Sequence, residues 1–375
     1  MTRRRRLRLG MVGGGQGALI GAVHRLAARM DDRYELAAGC FAGTAERSRA
    51  SAAELGVAPE RAYGSYAEMA ERERARPDPI DVVAIVTPNH LHLPVSAAFL
   101  EAGFDVICDK PLTATLAEAL ELVRRVEAAG RTFVLSHNYT AYPMVREARA
   151  LVASGALGDL RVVQVEYPQD WLATPLERQG QKQAEWRTDP ARSGPGGTVA
   201  DIGTHAHSLA CFVTGLDLLE VAADVNIHVP GRRLDDNIHA LLRFAHGVTG
   251  MLWASQMAPG NANALRLRVY GEKGGLTWAQ EDPGVLRLAV LGEAPRVIAR
   301  GSPAVGAAAA RLTRLPDGCP EGFLEGFANL YGDAAELIWA RIEGRAADPD
   351  AALLPGVRDG LEGMRFIDAV LASGR

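Results

Sequence analysis

The sequence predicts an α/β protein: a doubly wound parallel sheet, then an α+β half with a large, open, mostly antiparallel sheet. Three observations predict this. Short apolar runs alternate with helical patterns from residue 7 to about 137, the alternation that builds a parallel sheet with helices on both faces. From Leu218 to Val290, β-rich runs follow one another with turns at Gly231, Gly247, Gly260 and Gly271–Gly275, and no helix of normal length separates them. The chain's 375 residues exceed one ordinary core and suit two domains, placed at residues 7–137 and 138–375.

Leu7 to Val12 reads as the first strand. Gly13-Gly14-Gly15-Gln16-Gly17-Ala18 follows at once, and then Leu19, Ile20, Val23, Leu26, Ala27 and Met30 recur at helical spacing. Strand, glycine loop and helix form the context that a dinucleotide fingerprint requires. Gly13 and Gly15 take its first two glycine positions and Ala18 the third; Gln16 and Gly17 complete the loop. Such a loop brings backbone N–H groups and a helix amino terminus close to a pyrophosphate. Glycine-rich loops without a ligand also exist, and the flanking strand and helix are what favour the dinucleotide here.

Tyr34 to Phe41 reads as the second strand. An acid for the NAD ribose hydroxyls normally ends that strand. Here Ala42-Gly43-Thr44 stands in its place, and Arg47 and Arg49 follow. The missing acid removes repulsion against a 2′-phosphate, and Arg47 suits one, so the choice between NAD and NADP tilts slightly to NADP. Two solvated arginines are the alternative.

Ala45 to Leu55 and Tyr66 to Arg76 read as helices, the second capped by Ser65. Ile80 to Val86 is a short continuous apolar run, hence a buried parallel strand. It ends in the polar turn Thr87-Pro88-Asn89-His90-Leu91-His92, and a helix to Ala102 follows. Phe104 to Cys108 is the next strand. It stops at Asp109-Lys110-Pro111, because proline blocks the ladder and fixes φ. Lys110 therefore sits at a strand's carboxyl end, where open α/β sheets bind ligands. Only Lys110, Lys182 and Lys273 among the 41 basic residues are lysines. Lysine, unlike arginine, exchanges its proton readily on burial, which suits a cation that also handles a proton. A solvated turn lysine is the equal alternative. Leu116 to Ala129 is a helix, and Thr132 to Ser136 is the last strand of this half, ending in His137-Asn138-Tyr139.

In the second half, Pro143 to Ser154 is helical and Leu160 to Tyr167 is a strand. Residues 168–198 form a long irregular stretch of the kind that is often functional. Thr198 to Thr214 is helix-like, residues 301–320 are a loop, and Glu321 to Ile342 and Val357 to Ser373 close the chain as helices.

The helix from 198 places Asp201 and His205 at i and i+4, on one face. A neutral imidazole removes a hydroxyl proton near pH 7, and a carboxylate one turn away stabilises its charged form. A helix acid beside a partly buried histidine is the alternative, and His207 faces elsewhere with a structural or surface role. In the irregular stretch, Trp186, Arg187 and Asp189 suit a sugar ring, with an apolar face for stacking and polar groups for hydroxyls. No histidine and carboxylate spacing fits zinc, so no metal is expected.

A composition of 48% apolar and 23% charged residues is that of a globular protein, and a net charge of −4 argues against nucleic-acid or membrane partners. Cys40, Cys108, Cys211 and Cys319 lie far apart, so reduced thiols in the cytoplasm are expected. Arg3 to Arg6 precede an apolar run that Arg8 interrupts, which reads as a basic, frayed amino terminus rather than an export signal.

Taken together, the loop at 13–18, Thr87-Pro88-Asn89-His90-Leu91-His92, Asp109-Lys110-Pro111, and Trp186, Gly196-Gly197, Asp201 and His205 in that order resemble the glucose-fructose oxidoreductase / inositol dehydrogenase / rhizopine catabolism (Gfo/Idh/MocA) family. The usual central motif is Glu-Lys-Pro, and this chain has an aspartate in the first place. The resemblance implies a Rossmann domain followed by an α/β domain whose open sheet builds homodimers or homotetramers. It implies hydride transfer between nicotinamide and a ring secondary alcohol of a sugar, anhydro-sugar or cyclic polyol. By the same resemblance Lys110, Asp201 and His205 are the catalytic set. Thr87, Pro88, Asn89, His92 and Asp109 are implied on the cofactor side, and Tyr139, Trp186 and Arg187 on the substrate side. A non-catalytic dinucleotide- and sugar-sensing regulator is a second reading, and an eliminating or glycoside-cleaving relative that oxidises transiently is a third.

Overall fold

The computed structural model describes residues 4–374, which divide into two compact units. The first comprises residues 4–136 with Phe327–Leu361, and the second comprises His137–Gly326 with residues 362–374. Phe327–Leu361 thus lies with the first unit, whereas a division at 137/138 assigns it to the second half.

The first unit is a parallel sheet wound with helices. Its strands are β1 (Leu7–Gly13), β2 (Tyr34–Cys40), β3 (Val82–Val86), β4 (Asp105–Cys108) and β5 (Phe133–Leu135), in the order β2-β1-β3-β4-β5. β3 and β4 are buried at every position, as continuous apolar runs covered on both faces must be. The intervening helices are α1 (Leu19–Met30), α2 (Ala45–Glu54), α3 (Tyr66–Arg74), α4 (His92–Glu101) and α5 (Leu116–Ala129). Ser65 caps α3 by accepting from Glu68 N, and Thr115 and Glu118 close a reciprocal capping box on α5. An isolated parallel bridge, Gly39 to Ala62, lies beyond β2, where the sequence suggests no strand.

The amino terminus differs from the frayed segment expected. Arg3 lies outside the described residues, but the next three arginines are ion-paired. Arg4 meets Glu343 at 2.8 Å, Arg5 meets Asp81 at 2.7 Å, and Arg6 pairs with Asp32. The carboxylates they meet come from distant segments, so no local signal announces them.

The second unit is built on an eight-stranded sheet. After α6 (Pro143–Ala153) come β6 (Leu160–Pro168), two short helices α7 (Lys182–Arg187) and α8 (Pro190–Ser193), and α9 (Thr204–Thr214). The strands β7 (Leu218–Asn226), β8 (Asn237–Phe244), β9 (Thr249–Ser255), β10 (Arg266–Gly271), β11 (Gly274–Ala279), β12 (Val285–Val290) and β13 (Arg296–Ala299) follow. Their order is β13-β12-β11-β10-β6-β9-β8-β7, and every pairing is antiparallel except β6 with β9. β6 thus enters the centre of the sheet. The chain between β6 and β9 is long enough for the crossover that a parallel pair needs.

The stretch expected to be irregular holds α7 and α8, and the expected loop 301–320 holds the short α10 (Ala307–Ala310). The helix expected from 198 is α9 preceded by one π turn, Val199–Gly203. Two helices, α11 (Phe323–Glu343) and α12 (Val357–Ser373), end the chain, and each contributes residues to both units. Among the described residues no helix is long and apolar enough to cross a membrane, and no group of His, Cys, Asp or Glu side chains is arranged to hold a metal.

Candidate active site

In the first unit the glycine loop is shaped by contacts that exclude side chains. Gly13 has φ +83°, and a Cβ on it would lie 2.6 Å from Val86 O. A Cβ on Gly15 would lie 2.7 Å from both Phe41 O and Ser51 Oγ. The loop is pinned by Gly15 N donating to Phe41 O at 3.1 Å and Gln16 N donating to Ser51 Oγ at 3.2 Å. The Gln16 amide also meets Glu54. Ala18 caps α1 without a side-chain bond, and no acid occupies the first turn. A helix amino terminus left this way suits an anion. A cleft lined by Gly15, Gln16, Gly17, Ala18, Arg25 and Ser51 opens there. The residues present therefore fit a dinucleotide pyrophosphate. The close loop–helix contact falls at a position the sequence reading missed: a Cβ on Gly21 would lie 2.3 Å from Gly14 Cα. Ala42 is part-buried just after β2, and Arg47 is exposed in the first turn of α2.

The other first-unit candidates gather at the carboxyl ends of β3 and β4. Asp109 Oδ1 accepts from Ser136 Oγ at 2.6 Å and from Lys110 N at 3.0 Å, so its carboxylate braces the turn that presents Lys110. The Lys110–Pro111 peptide is cis. His92 is fully buried, with Nδ1 2.8 Å from Pro111 O and Nε2 3.0 Å from Thr87 O. Both ring nitrogens are thus engaged by backbone, and burial pushes the imidazole pKa down. His92 ties the 87–92 turn to the lysine turn rather than presenting a ring atom to a ligand. Thr87 Oγ1 is buried with no hydrogen-bond partner among the described residues. Pro88 precedes the short turn Asn89–Leu91, in which Asn89 is buried.

The second unit brings Asp201, His205, Tyr139, Trp186 and Arg187 together. Asp201 lies in the π turn and His205 in the first turn of α9. Arg187 Nε is 3.3 Å from Asp201 Oδ2, and its guanidinium stacks 4.2 Å from the Trp186 ring and 5.9 Å from that of Trp171. The two tryptophans hold the arginine that holds the carboxylate. Gln256 Nε2 donates to the same Oδ2 at 2.7 Å, an orientation set by a carboxylate that only accepts, and Thr198 Oγ1 donates to Gln256 Oε1 at 3.1 Å. The Tyr139 ring meets His205 edge-on at 5.0 Å, and its hydroxyl lies 2.6 Å from that of Tyr167. Burial, with the Asp201 charge adding to it, pushes both phenol pKa values up.

Two functional candidates here were not singled out in the sequence. His137 Nδ1 lies 3.3 Å from His205 Nδ1, and its signal was a polar triplet at a strand's carboxyl end, the same kind of place as Lys110. Gln256 had no signal. His207, expected in a structural or surface role, is not at the surface. It is buried, stacked 4.6 Å from Phe366, and its pKa is pushed down to about 4 by burial. Lys110 belongs to the first unit, while Asp201 and His205 belong to the second.

Residues 7–137 match the oxidoreductase family with an NAD-binding Rossmann fold, and residues 145–277 match the GFO/IDH/MocA C-terminal domain. The chain belongs to this family. A solved oxidoreductase from Sinorhizobium meliloti is 49% identical over 99% of this chain and 98% of its own, with a TM-score of 0.91. An inositol dehydrogenase homologue from Azotobacter vinelandii, solved with NADH and myo-inositol, is 32% identical over 99% of this chain and 96% of its own, with a TM-score of 0.90. A levoglucosan dehydrogenase solved with NADH and levoglucosan is 25% identical over 98% and 97%, with a TM-score of 0.83. The protein is thus an NAD-binding oxidoreductase of the Gfo/Idh/MocA family, and the expected architecture, a Rossmann sheet followed by a mostly antiparallel one, is the one found.

Proposed function

We propose that the protein oxidises a ring secondary alcohol of a sugar, anhydro-sugar or cyclic polyol, or reduces the matching ketone. The observation that carries this is His205, held among aromatic rings on the helix that also bears Asp201. The family relatives solved with myo-inositol and with levoglucosan support the substrate class, since both ligands present ring secondary alcohols. NAD, held by Gly13, Gly15, Gln16 and Gly17, supplies the hydride acceptor. His205 takes the hydroxyl proton as general base. Asp201, kept in place by Arg187 and Gln256, favours the charged imidazole that results. Lys110 donates a hydrogen bond to the reacting oxygen and stabilises the negative charge that develops on it. Tyr139 packs the base, and Trp186 and Arg187 serve the substrate side through Asp201.

Lys110→Ala and His205→Ala should each lower turnover by about 10²–10⁴. The assay is a panel of cyclic polyols and sugars with NAD and with NADP, read at the nicotinamide absorbance. Wild-type turnover in both variants overturns the assignment.

We also propose that a second copy covers the outer face of the eight-stranded sheet. Leu241 and Met251 pair across β8 and β9 and are 59% and 51% exposed, and Tyr270 on the same face is 40% exposed. Sedimentation of Leu241→Arg against the wild type tests it; identical mass for both refutes it.

A further inference from the structure

His137 has no part in the mechanism above, yet it touches the group on which that mechanism depends. Its carbonyl accepts from Thr140 N at 3.1 Å and from Thr140 Oγ1 at 2.8 Å, which fixes its backbone at the head of the turn Asn138–Ala141. The side chain is buried. Its Nδ1 lies 3.3 Å from His205 Nδ1, and the rings meet edge to face with centroids 5.2 Å apart at 82°.

Two imidazole nitrogens at this separation are joined through one hydrogen, so one ring donates and the other accepts. If His137 donated, neutral His205 would carry its hydrogen on Nε2 and would have no lone pair there. Protonating it would then set two N–H groups head to head. If His205 donates, Nε2 keeps its lone pair. The imidazolium formed by proton uptake at Nε2 keeps the same Nδ1–H bond to His137. Only this second arrangement lets the ring both take and return a proton.

We propose that His137 is the positioning residue that locks His205 in its Nδ1–H tautomer, and that the two rings hold a single added proton between them, on His205. The inference rests on the reading of His205 as the general base. The rings against His205 include His137 and Tyr139 on the turn after Ser136 and Tyr167 on β6; Asp201 lies four residues earlier, in the π turn, with Arg187 and Gln256 holding it. Both tyrosines stay neutral in the working range because burial pushes their pKa values up. With both phenols neutral, a proton added to the pair is held across the Nδ1–Nδ1 contact as a His205 imidazolium that donates to neutral His137.

The test uses the whole protein with ¹⁵N-labelled histidine, His205→Asn serving to assign the resonances. His205 should appear as the Nδ1–H tautomer at pH 8, and acidification should add one proton to the pair. His137→Leu should lower kcat/KM about tenfold to hundredfold, the loss of one charge-assisted hydrogen bond, and should move the acid limb of the pH profile. His137→Asn sets an amide oxygen near the place of Nδ1 and should restore the rate to within a few-fold. An Nε2–H tautomer in the wild type overturns the proposal, as does a His137→Leu enzyme with wild-type rate and pH profile. If His137→Leu does not fold, the wild-type tautomer decides. A His205→Asn enzyme with wild-type turnover refutes the base assignment itself, whereas an inactive one beside an unaffected His137→Leu refutes the tautomer lock alone.

Discussion

Asp235→Asn probes how the helix bearing Asp201 and His205 is anchored. The Asp235 carboxylate is buried and accepts from Gly197 N at 2.6 Å and from Val199 N at 2.7 Å. Its carbonyl accepts from Thr198 N at 2.9 Å. Burial pushes its pKa up from 3.8 to about 6, with Asp236 adding to the rise and the Gly197 and Val199 N–H groups opposing it. In the unfolded chain the group ionises near its ordinary value. Between about pH 4 and pH 6 the folded chain therefore binds the extra proton. The stability this group contributes is full below about pH 4 and is lost as pH rises through about 6. The loss is ~3 kcal/mol, at ~1.4 kcal/mol for each tenfold change in proton affinity. Asparagine cannot ionise. It keeps one oxygen for one N–H and turns an NH₂ to the other, which costs the variant about 1–3 kcal/mol, and this site gives the variant's own stability no pH dependence. Wild type minus variant should therefore shrink by ~3 kcal/mol from pH 4 to pH 7. Amide exchange of residues 196–205, corrected for intrinsic rates, reads this local opening directly. A gap that stays constant to within ~1 kcal/mol over that range refutes the reasoning.

Three further outcomes follow from the geometry. Gln256→Leu removes the donor 2.7 Å from Asp201 Oδ2 and should cut kcat/KM about tenfold; Gln256→Glu, which sets a like charge there, should cut it further and move the pH optimum, and the opposite ranking would refute the role. Gly21→Ala forces a methyl to within 2.3 Å of Gly14 Cα, so loop and helix must part; calorimetry should find NAD binding weakened at least about tenfold and a lower Tm, and unchanged values would contradict the packing. Ala42→Asp restores an acid after β2 and should shift the ratio of NADP to NAD affinity toward NAD by more than about tenfold, a shift that equal ratios in both proteins would exclude.

Local chemistry made the first unit legible. Gly13 and Gly15 announce a strand-to-helix turn, Pro111 stops β4, and Ser65 marks a helix start, because each acts on backbone a few residues away. Asp201 and His205 stood out for the same reason, since i, i+4 spacing predicts one helix face; that the first of them lies in a π turn had no such local signal. The amino-terminal arginines were not, because their partners Asp81 and Glu343 lie far along the chain. The central place of β6 was hidden too. Alternation identifies a strand and its faces, but it does not say which neighbour the strand takes.

The supports of Asp201 belong to this second class, and the sheet explains why. Asn237 pairs with Ser255 and Ser255 with Pro168, so β8, β9 and β6 end level with one another. Just past that edge, Gln256 N donates to Asp236 O at 3.0 Å and Leu172 N donates to Gln256 O at 3.0 Å. Asp235 and Gln256 leave the sheet side by side, although twenty residues separate them in sequence. There the carboxylate of Asp235 takes the N–H groups that open the π turn, and the amide of Gln256 takes the side chain of Asp201. The register of β8 on β9 thus sets the position of the Asp201 carboxylate. A one-residue slip in that pairing would turn Gln256 to the opposite face and take its amide away from Asp201. In this fold the antiparallel sheet is therefore part of the proposed acid–base site, because its strand ends hold the π turn that opens the helix bearing His205.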